Sequence, residues 1–256
     1  MRKAWRWLGL LLVVACAPNP YTQRNQFLLT SEAQEMSLGA EAFAQIRAEV
    51  PPSRDRALQE QLQQVGQRLV WASGRTNYQW EFVVLEDPKN PNAFALPGGK
   101  VAVYTGLFPL IASDAELAAV VGHEMAHVLL RHGGERISRG LATDLIEAGL
   151  IRASEQTLPQ ERLQVIRLAY GVGSTLAVEL PFSRQQELES DRLGLLLMAD
   201  AGYDPRAALD FWSRMAAQSA GLRLPEFLST HPLDAHRMAY LQQALPEAMA
   251  RYSRGN

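Results

Sequence analysis

The stretch that decides the fold reads Val120-Val121-Gly122-His123-Glu124-Met125-Ala126-His127-Val128-Leu129-Leu130, an apolar run that contains the pattern His-Glu-x-x-His. Four residues turn a helix by about 400°, so His123 and His127 lie on one face, one turn apart. Two imidazoles at that spacing can bind one zinc ion, and Glu124 then lies beside the metal, where a general base takes a proton from the attacking water. We therefore predict a hydrolytic zinc site on a helix.

Two simpler explanations of this pattern are a chance match and an exposed helix with two solvated histidines. A chance match of three fixed positions is rare in a chain of 256 residues. The apolar flanks argue against the exposed helix, because they predict burial, and buried histidines need polar partners. The flanking residues are Leu117, Val120, Val121, Val128, Leu129 and Leu130.

A catalytic zinc takes three protein ligands and keeps one position open, so a third ligand is needed. In the metzincin pattern a Gly follows the second His by three residues and a third His follows it by six. Those positions hold Leu130 and Gly133, so this pattern fails. His132 lies five residues past His127, about 140° round the helix, and is interpreted as a helix-end polar residue that points away from the metal.

The other candidate ligand is an acidic residue on a later helix, predicted to begin at Ser183. Glu187 and Asp191 are four residues apart and share a face, whereas Glu189 lies about 200° from each. If Glu187 binds the metal, Asp191 lies one turn deeper and can accept a hydrogen bond from the far nitrogen of a zinc histidine. Taken alone, this segment could equally be a solvated acidic face.

The composition is that of an ordinary globular protein with one substantial core or two small ones. Of the 256 residues, 47% are hydrophobic and 20% are charged, and the formal net charge is −2. Because no basic cluster occurs beyond the first few residues, we predict no nucleic-acid partner. The sequence has one cysteine, so no internal disulfide can form.

The N-terminus is typical of a secretory signal. Basic residues precede a short apolar segment, which is too short to span a bilayer, and Val13-Val14-Ala15-Cys16 follows it and resembles a bacterial lipoprotein signal. We predict a lipoprotein signal peptide over residues 1–15, a lipidated tether over residues 16–30 with the lipid on Cys16, and the catalytic domain over residues 31–250. A plain signal peptide and a buried cysteine are the alternatives.

Residue 17 is Ala rather than Asp. By resemblance to Gram-negative sorting rules, this favours a lipid anchor in the outer membrane, on its periplasmic side. In an organism with a single membrane, the anchor would hold the protein on the outer face of that membrane. The predicted location is therefore the cell envelope.

Three short strands are predicted over residues 78–85, 92–96 and 100–105, separated by turns rich in proline and glycine. The zinc helix follows, with Ser113 as its N-cap and Gly133-Gly134 as its end. The predicted class is α+β: a mostly helical domain with a small antiparallel sheet whose edge strand precedes the zinc helix, an arrangement that resembles zincin-like metallopeptidase domains.

Four stretches within residues 30–245 carry a family resemblance. They are Asn92-Ala93-Phe94-Ala95-Leu96-Pro97-Gly98-Gly99, His123-Glu124-Met125-Ala126-His127, Phe182-Ser183-Arg184-Gln185-Gln186-Glu187 with Asp191, and Ser229-Thr230-His231-Pro232 with Arg237. Together they resemble the HtpX-like and CAAX-prenyl-protease-like zinc metallopeptidases, and among these the BepA-like and LoiP-like periplasmic lipoproteins. We expect neither the tetratricopeptide domain of the BepA-like members nor the membrane helices of the HtpX-like ones, so CAAX processing is not carried over.

The resemblance implies one zinc ion per chain, bound by His123, His127 and Glu187. It also implies that His231 stabilises the tetrahedral oxyanion, with Arg237 as a supporting charge. A second role for His231 stays open at this point, because the ring could instead be a removable fourth zinc ligand that closes the site.

The strand before the zinc helix contains Asn92, Ala93, Phe94 and Ala95. In zincins such an edge strand pairs with an extended substrate, and main-chain hydrogen bonds supply affinity with little sequence choice. The resemblance therefore implies a zinc metalloendopeptidase that cleaves unfolded or misassembled envelope polypeptides. Its further partners would be the membrane, through the lipid on Cys16, and the outer-membrane protein assembly machinery.

Other functional classes compete with this interpretation. A zinc-binding, chaperone-like lipoprotein that assists outer-membrane protein assembly would not need Glu124, so the presence of Glu124 favours an enzyme. A purely structural lipoprotein would need no inward-facing histidines and glutamates. Only the edge strand and the family resemblance argue against a hydrolase that acts on a non-peptide substrate.

Overall fold

The structure is a computed structural model of the protein, and it describes residues 16–150, 183–219 and 226–255. The signal peptide predicted over residues 1–15 lies outside the described residues. Within these three ranges, no helix combines the length and the apolarity that crossing a membrane requires.

Helices dominate the described chain, and short strands lie in its first half. The strands are β1 (Cys16–Pro18), β2 (Asn25–Phe27), β3 (Glu81–Leu85), β4 (Ala93–Leu96) and β5 (Lys100–Tyr104). The helices are α1 (Glu32–Glu49), α2 (Arg56–Ser73), α3 (Asp114–Leu129), α4 (His132–Leu150), α5 (Arg184–Asp200), α6 (Arg206–Ser219), α7 (Glu226–Thr230) and α8 (Ala235–Gly255). A 3-10 helix, Thr105–Leu110, joins β5 to α3. The predicted α+β class is confirmed.

The three-stranded sheet has the order β3-β5-β4, so β4 is an edge strand, as predicted. The sheet is mixed rather than antiparallel, because β4 pairs antiparallel with β5 while β3 pairs parallel with it. The reason lies in the connections. A tight turn with Gly98 and Gly99 at φ 80° and 89° folds β4 onto one side of β5, and β3 pairs with the other side of β5. The chain runs one way along β3, the opposite way along β4 and the first way again along β5, so β3 and β5 are parallel.

Side chains of the sheet alternate between two apolar clusters. Phe94 and Leu96 of β4 pack with α1, where Phe43 meets the Phe94 ring edge-on at 6.4 Å between centroids. Ala93 and Ala95 face the other way, into the main core with α2 and α3. This period of two follows from strand geometry. Its consequence is that only methyl side chains stand between β4 and the buried helix α3.

Helix α3 ends earlier than predicted. Its last residue is Leu129, and Arg131 then adopts a left-handed φ of 53° before α4 begins at His132. The prediction that Gly133-Gly134 ends this helix is wrong. Gly134 instead lies inside α4, where it makes room for Glu35, because a Cβ at this position would overlap the Glu35 carboxylate.

Residues 16–30 pack against the domain. Strands β1 and β2 pair antiparallel, with Cys16 opposite Phe27. In the turn and in β2, the Asn19 and Gln26 side chains both donate to the Leu130 carbonyl, at 3.2 and 2.7 Å. We call residues 16–27 the β1–β2 hairpin. The segment predicted as a tether thus contacts the end of α3, while the lipid on Cys16 stays a prediction.

Helices α3 and α5 approach each other backbone to backbone. A Cβ placed on Gly194 would lie 3.0 Å from the His123 nitrogen and 3.1 Å from its Cα. On the facing helix, a Cβ on Gly122 would lie 3.3 Å from the Gly194 carbonyl oxygen. These glycines allow the contact because any larger side chain would push the two helices apart.

We expect the substitution Gly194→Ala to lower the free energy of unfolding by roughly 1–3 kcal/mol, because the new methyl group overlaps backbone atoms of α3. Gly140→Ala in α4 is the matched control, since a Cβ there meets nothing within 4 Å. That change should be neutral or stabilising by up to about 1 kcal/mol. Urea unfolding of both variants tests the contact, and equal stabilities would contradict it.

Candidate metal centre

Four buried side chains converge where α3, α5 and the turn after α7 meet. His123 and His127 come from α3, Glu187 from α5, and His231 directly follows α7. One donor atom from each residue lies within 4.8 Å of the other three. None of the four residues is more than 2% exposed. The structure therefore brings the three predicted metal ligands together with His231, for which the sequence left open a role as a fourth ligand.

The spacing of the donor atoms fits a single ion. His123 Nε2 lies 3.1 Å from His127 Nε2 and 3.2 Å from His231 Nδ1, and His231 Nδ1 lies 3.0 Å from Glu187 Oε1. Bonds of about 2.0–2.1 Å at a tetrahedral angle would separate ligand atoms by roughly 3.3 Å. Imidazole nitrogens with one carboxylate oxygen are also a donor set that suits zinc. The residues present therefore fit a divalent metal.

The electrostatics of the centre favour a cation. Burial alone would lower the pKa of His123, but the neighbouring Asp191 and Glu187 raise it to about 9. For Glu187, burial opposes ionisation, yet His231 and Arg237 hold its pKa well below the usual range. Glu187 is therefore a carboxylate, as a metal ligand must be.

Asp191 and Arg237 lie behind the donors. Asp191 Oδ1 is 3.1 Å from His123 Nδ1, the nitrogen that faces away from the other donors. Arg237 donates to both oxygens of Asp191, from Nε at 2.8 Å and from a terminal nitrogen at 2.7 Å. Its other terminal nitrogen is 2.7 Å from Glu187 Oε2. This 1%-exposed arginine neutralises two buried carboxylates, and removing one partner of such a pair typically costs about 3–5 kcal/mol.

Glu124 lies between the donors and the sheet. Its Oε1 is 3.3 Å from His231 Nε2 but makes no well-aligned hydrogen bond within the described chain. The Ala95 main chain donates to the same carboxylate. Burial raises the pKa of Glu124, which strengthens the carboxylate as a base. The arrangement gives this side chain an oxygen that is able to accept a proton close to the metal ligands.

Of the predicted substrate-binding residues, Asn92 directly precedes β4 and the other three lie in it, where the Ala95 main chain faces Glu124. Asn92, Ala93, Phe94 and Ala95 are between 2% and 4% exposed. The Phe94 side chain points into the core, so only the main chain of this segment can serve a substrate. The Ala93 N–H bonds to the Asn92 side chain at 2.8 Å, outside the ladder with β5. The outer edge of β4 therefore faces the centre but is covered in this conformation.

His132 is not one of the four converging donors, in agreement with the prediction that it is not directed at the metal, but its ring contacts the far side of His127. Its Nδ1 lies 3.0 Å from His127 Nδ1, and its Nε2 lies 3.0 Å from Glu189 Oε2. The angle of about 140° between His127 and His132 assumes one continuous helix, and it does not apply because Arg131 breaks the helix between them. No glycine or proline at position 131 signals that break, so spacing alone could not have found the contact.

Comparisons with known proteins agree with this geometry. The model of Peptidase family M48 matches residues 56–245. Mitochondrial metalloendopeptidase OMA1 of Schizosaccharomyces pombe is 34% identical over 91% of this chain and 67% of its own length. The OMA1 of Saccharomyces cerevisiae is 29% identical over 93% of this chain and 71% of its own length.

A bacterial relative is the beta-barrel assembly-enhancing protease of Escherichia coli, which is 28% identical over 82% of this chain. That match spans 43% of the relative, so less than half of the relative's length corresponds to this chain. The family model covers most of the sequence and includes the motif on α3, Glu187 and His231. This chain therefore belongs to Peptidase family M48 and is a metallopeptidase.

Proposed function

We propose that this chain is a zinc-dependent metalloendopeptidase that cleaves unfolded or misassembled polypeptides of the cell envelope. The observation that supports this most is the position of Glu124, a buried carboxylate between the metal ligands and the outer edge of β4. A protein that only binds metal or polypeptide has no need of a base at that point. Within Peptidase family M48, we place the chain near the BepA-like and LoiP-like members.

The roles of the side chains follow from their positions. A zinc ion held by His123, His127 and Glu187 would polarise the scissile carbonyl and lower the pKa of a water molecule. Glu124 takes a proton from the attacking water and delivers it to the departing amine. Asp191, whose Oδ1 lies 3.1 Å from His123 Nδ1, would fix the orientation of this ring by accepting its Nδ1 proton.

His231 has two proposed roles that belong to two conformations. With its Nδ1 3.2 Å from His123 Nε2 and 3.0 Å from Glu187 Oε1, the ring takes the place of a fourth donor and closes the site. A substrate carbonyl needs that place, so the ring must withdraw before cleavage. Once withdrawn, it can donate to the oxyanion of the tetrahedral intermediate.

The proposed substrate is extended polypeptide. Ala93 and Ala95 direct their N–H groups away from β5, toward the Asn92 side chain and Glu124. A strand laid along this edge would replace these partners and pair with the same N–H groups next to Glu124. Folded proteins seldom offer a free extended segment, whereas unfolded chains do. This is why the proposal names unfolded or misassembled substrates.

We also propose a lipid on Cys16 that places the protein on the periplasmic side of the outer membrane. The support is the lipoprotein-like sequence around Cys16 and the name of the Escherichia coli relative, which links that protein to beta-barrel assembly. The OMA1 relatives are named as mitochondrial, so the proposed location depends on the N-terminal sequence rather than on the family.

The second candidate function is a zinc-binding, chaperone-like lipoprotein that assists outer-membrane protein assembly. The closed position of His231 favours it, because a site with four protein donors has no open position for a substrate. Glu124 distinguishes the two functions, because only the peptidase needs this side chain.

We expect Glu124→Gln to lower kcat for unfolded casein by at least about 100-fold, because the attacking water loses its base. The zinc content, measured by elemental analysis, should equal that of the wild type. A variant that retains zinc and still cuts at the wild-type rate would rule out the role of Glu124. If neither protein cuts and both bind zinc, the chaperone-like function or a closed site remains.

The His231→Ala variant separates the closing role from the catalytic one. Removing the fourth donor should lower KM, since the site opens, while loss of the oxyanion donor should lower kcat by about 100–1,000-fold. His236→Ala, at an exposed position five residues later, is the control and should change neither constant. A His231→Ala protein with wild-type kcat and KM would show that the ring has neither role.

For the edge strand, we expect Ala93→Pro to raise KM for casein by about 10-fold. Proline removes an N–H that lies outside the ladder with β5, so the sheet itself should persist. Zinc content and unfolding midpoint report whether the fold survives. Unchanged KM in a folded variant would mean that substrate does not pair with β4.

A further inference from the structure

A line of polar contacts leaves the metal centre from the far side of His127. Its Nε2 faces the other donors, whereas its Nδ1 lies 3.0 Å from His132 Nδ1. His132 Nε2 then lies 3.0 Å from Glu189 Oε2, and the His132 ring is fully buried. None of these contacts takes part in the proposed catalytic steps, so their purpose needs a separate explanation.

Metal binding would fix the direction of every hydrogen bond in this line. A His127 that binds metal through Nε2 carries its proton on Nδ1 and donates to His132 Nδ1. His132 then keeps its own proton on Nε2 and donates to Glu189. Each ring nitrogen thus has a donor or acceptor role that its neighbour matches.

Glu189 is itself held by Arg24, which lies in the β1–β2 hairpin. Arg24 Nε donates to Glu189 Oε1 at 2.6 Å, and its terminal nitrogens donate to the two oxygens of Glu135 at 2.9 and 2.8 Å. Gln186 donates to the same Glu135 at 3.1 Å. Arg24 therefore joins α4 to α5 through two carboxylates, and its planar fork suits two such partners.

The hairpin that carries Arg24 is anchored at a second point. Asn19 and Gln26, each 2% exposed, donate to the Leu130 carbonyl, three residues after His127. Carbonyls at a helix end need such partners, because the helix itself supplies none. Two residues after the hairpin, the Leu29 N–H donates to Ser138 Oγ of α4 at 2.8 Å, and within the hairpin Arg24 binds Glu135 of the same helix. The hairpin thus contacts both the end of α3 and the first turns of α4.

We propose that the β1–β2 hairpin is a structural part of the metal centre and that Arg24 positions the ligand His127 through Glu189 and His132. The inference rests on the proposed metal centre and extends it to a segment that the family match over residues 56–245 does not include. Partners that orient a metal-bound histidine typically contribute about 10–100-fold in metal affinity. Arg24 is thus a positioning residue that does not touch metal or substrate.

The first test is the affinity for Zn²⁺, measured on the full chain by competition with a chromogenic chelator. We expect Arg24→Met to bind Zn²⁺ about 10-fold more weakly or worse. The matched control is Arg139→Met, because Arg139 also pairs with Glu135, at 3.1 Å, from a side chain that is 57% exposed. Its affinity should equal that of the wild type. Equal affinities of Arg24→Met and the wild type would overturn the inference.

A double-mutant cycle tests the path. If Arg24 acts through His132, adding Arg24→Met to His132→Phe should weaken Zn²⁺ binding little further. If the losses of Zn²⁺ affinity in the two single variants simply add in the double variant, Arg24 acts on general stability and the positioning role is overturned. If Arg24→Met does not fold, Arg24→Lys replaces it, since lysine keeps the charge but not the fork. Unchanged affinity in a folded Arg24→Lys protein would count against the inference equally.

Failure of this inference can be told apart from failure of the proposed function. His127→Ala serves as the reference, because it removes a ligand directly and should lose most of the Zn²⁺ affinity. A wild-type protein with no higher affinity than His127→Ala would refute the metal centre itself. Tight binding by the wild type and equally tight binding by Arg24→Met would refute only the role of the hairpin.

Discussion

The metal centre depends on how closely α3 and α5 approach each other. Gly122 and Gly194 leave no side chain between the two backbones. At that distance the short Asp191 side chain reaches His123, and Glu187 reaches the metal-facing side of the same ring. Metal–ligand bonds tolerate shifts of only about 0.2 Å, so one added methyl group at the crossing would be felt by every donor.

Charge balance in the interior is the second constraint, and α5 bears most of it. This helix places Glu187 and Asp191 on its inner side and Glu189 on the opposite side. Buried carboxylates without cationic partners would destabilise the fold. Arg237 of α8 pairs with the inner two, and Arg24 of the hairpin pairs with the third. One arginine from near each end of the described chain therefore secures the central helix.

Periodicity predicted what lies within single elements. The shared face of His123 and His127, and that of Glu187 and Asp191, required only that α3 and α5 be helices. Periodicity failed where the backbone departs from an element, as at Arg131, whose left-handed φ brings His132 against the far side of His127. Parallel pairing of β3 with β5, and the contact between Arg24 and Glu189 across 165 residues, could not be predicted because no spacing rule connects such distant positions.

The wide separation of the centre's parts along the chain has a consequence for when the protein becomes a protease. His123 and His231 are 108 residues apart, and the supporting residues extend from position 24 to position 237. Closing such long loops is slow compared with forming single helices. During synthesis the His-Glu-x-x-His segment leaves the ribosome long before α8 exists, so a growing chain carries the motif without a complete site. Peptidase activity therefore depends on the folding of the whole domain, which alone brings these distant residues together.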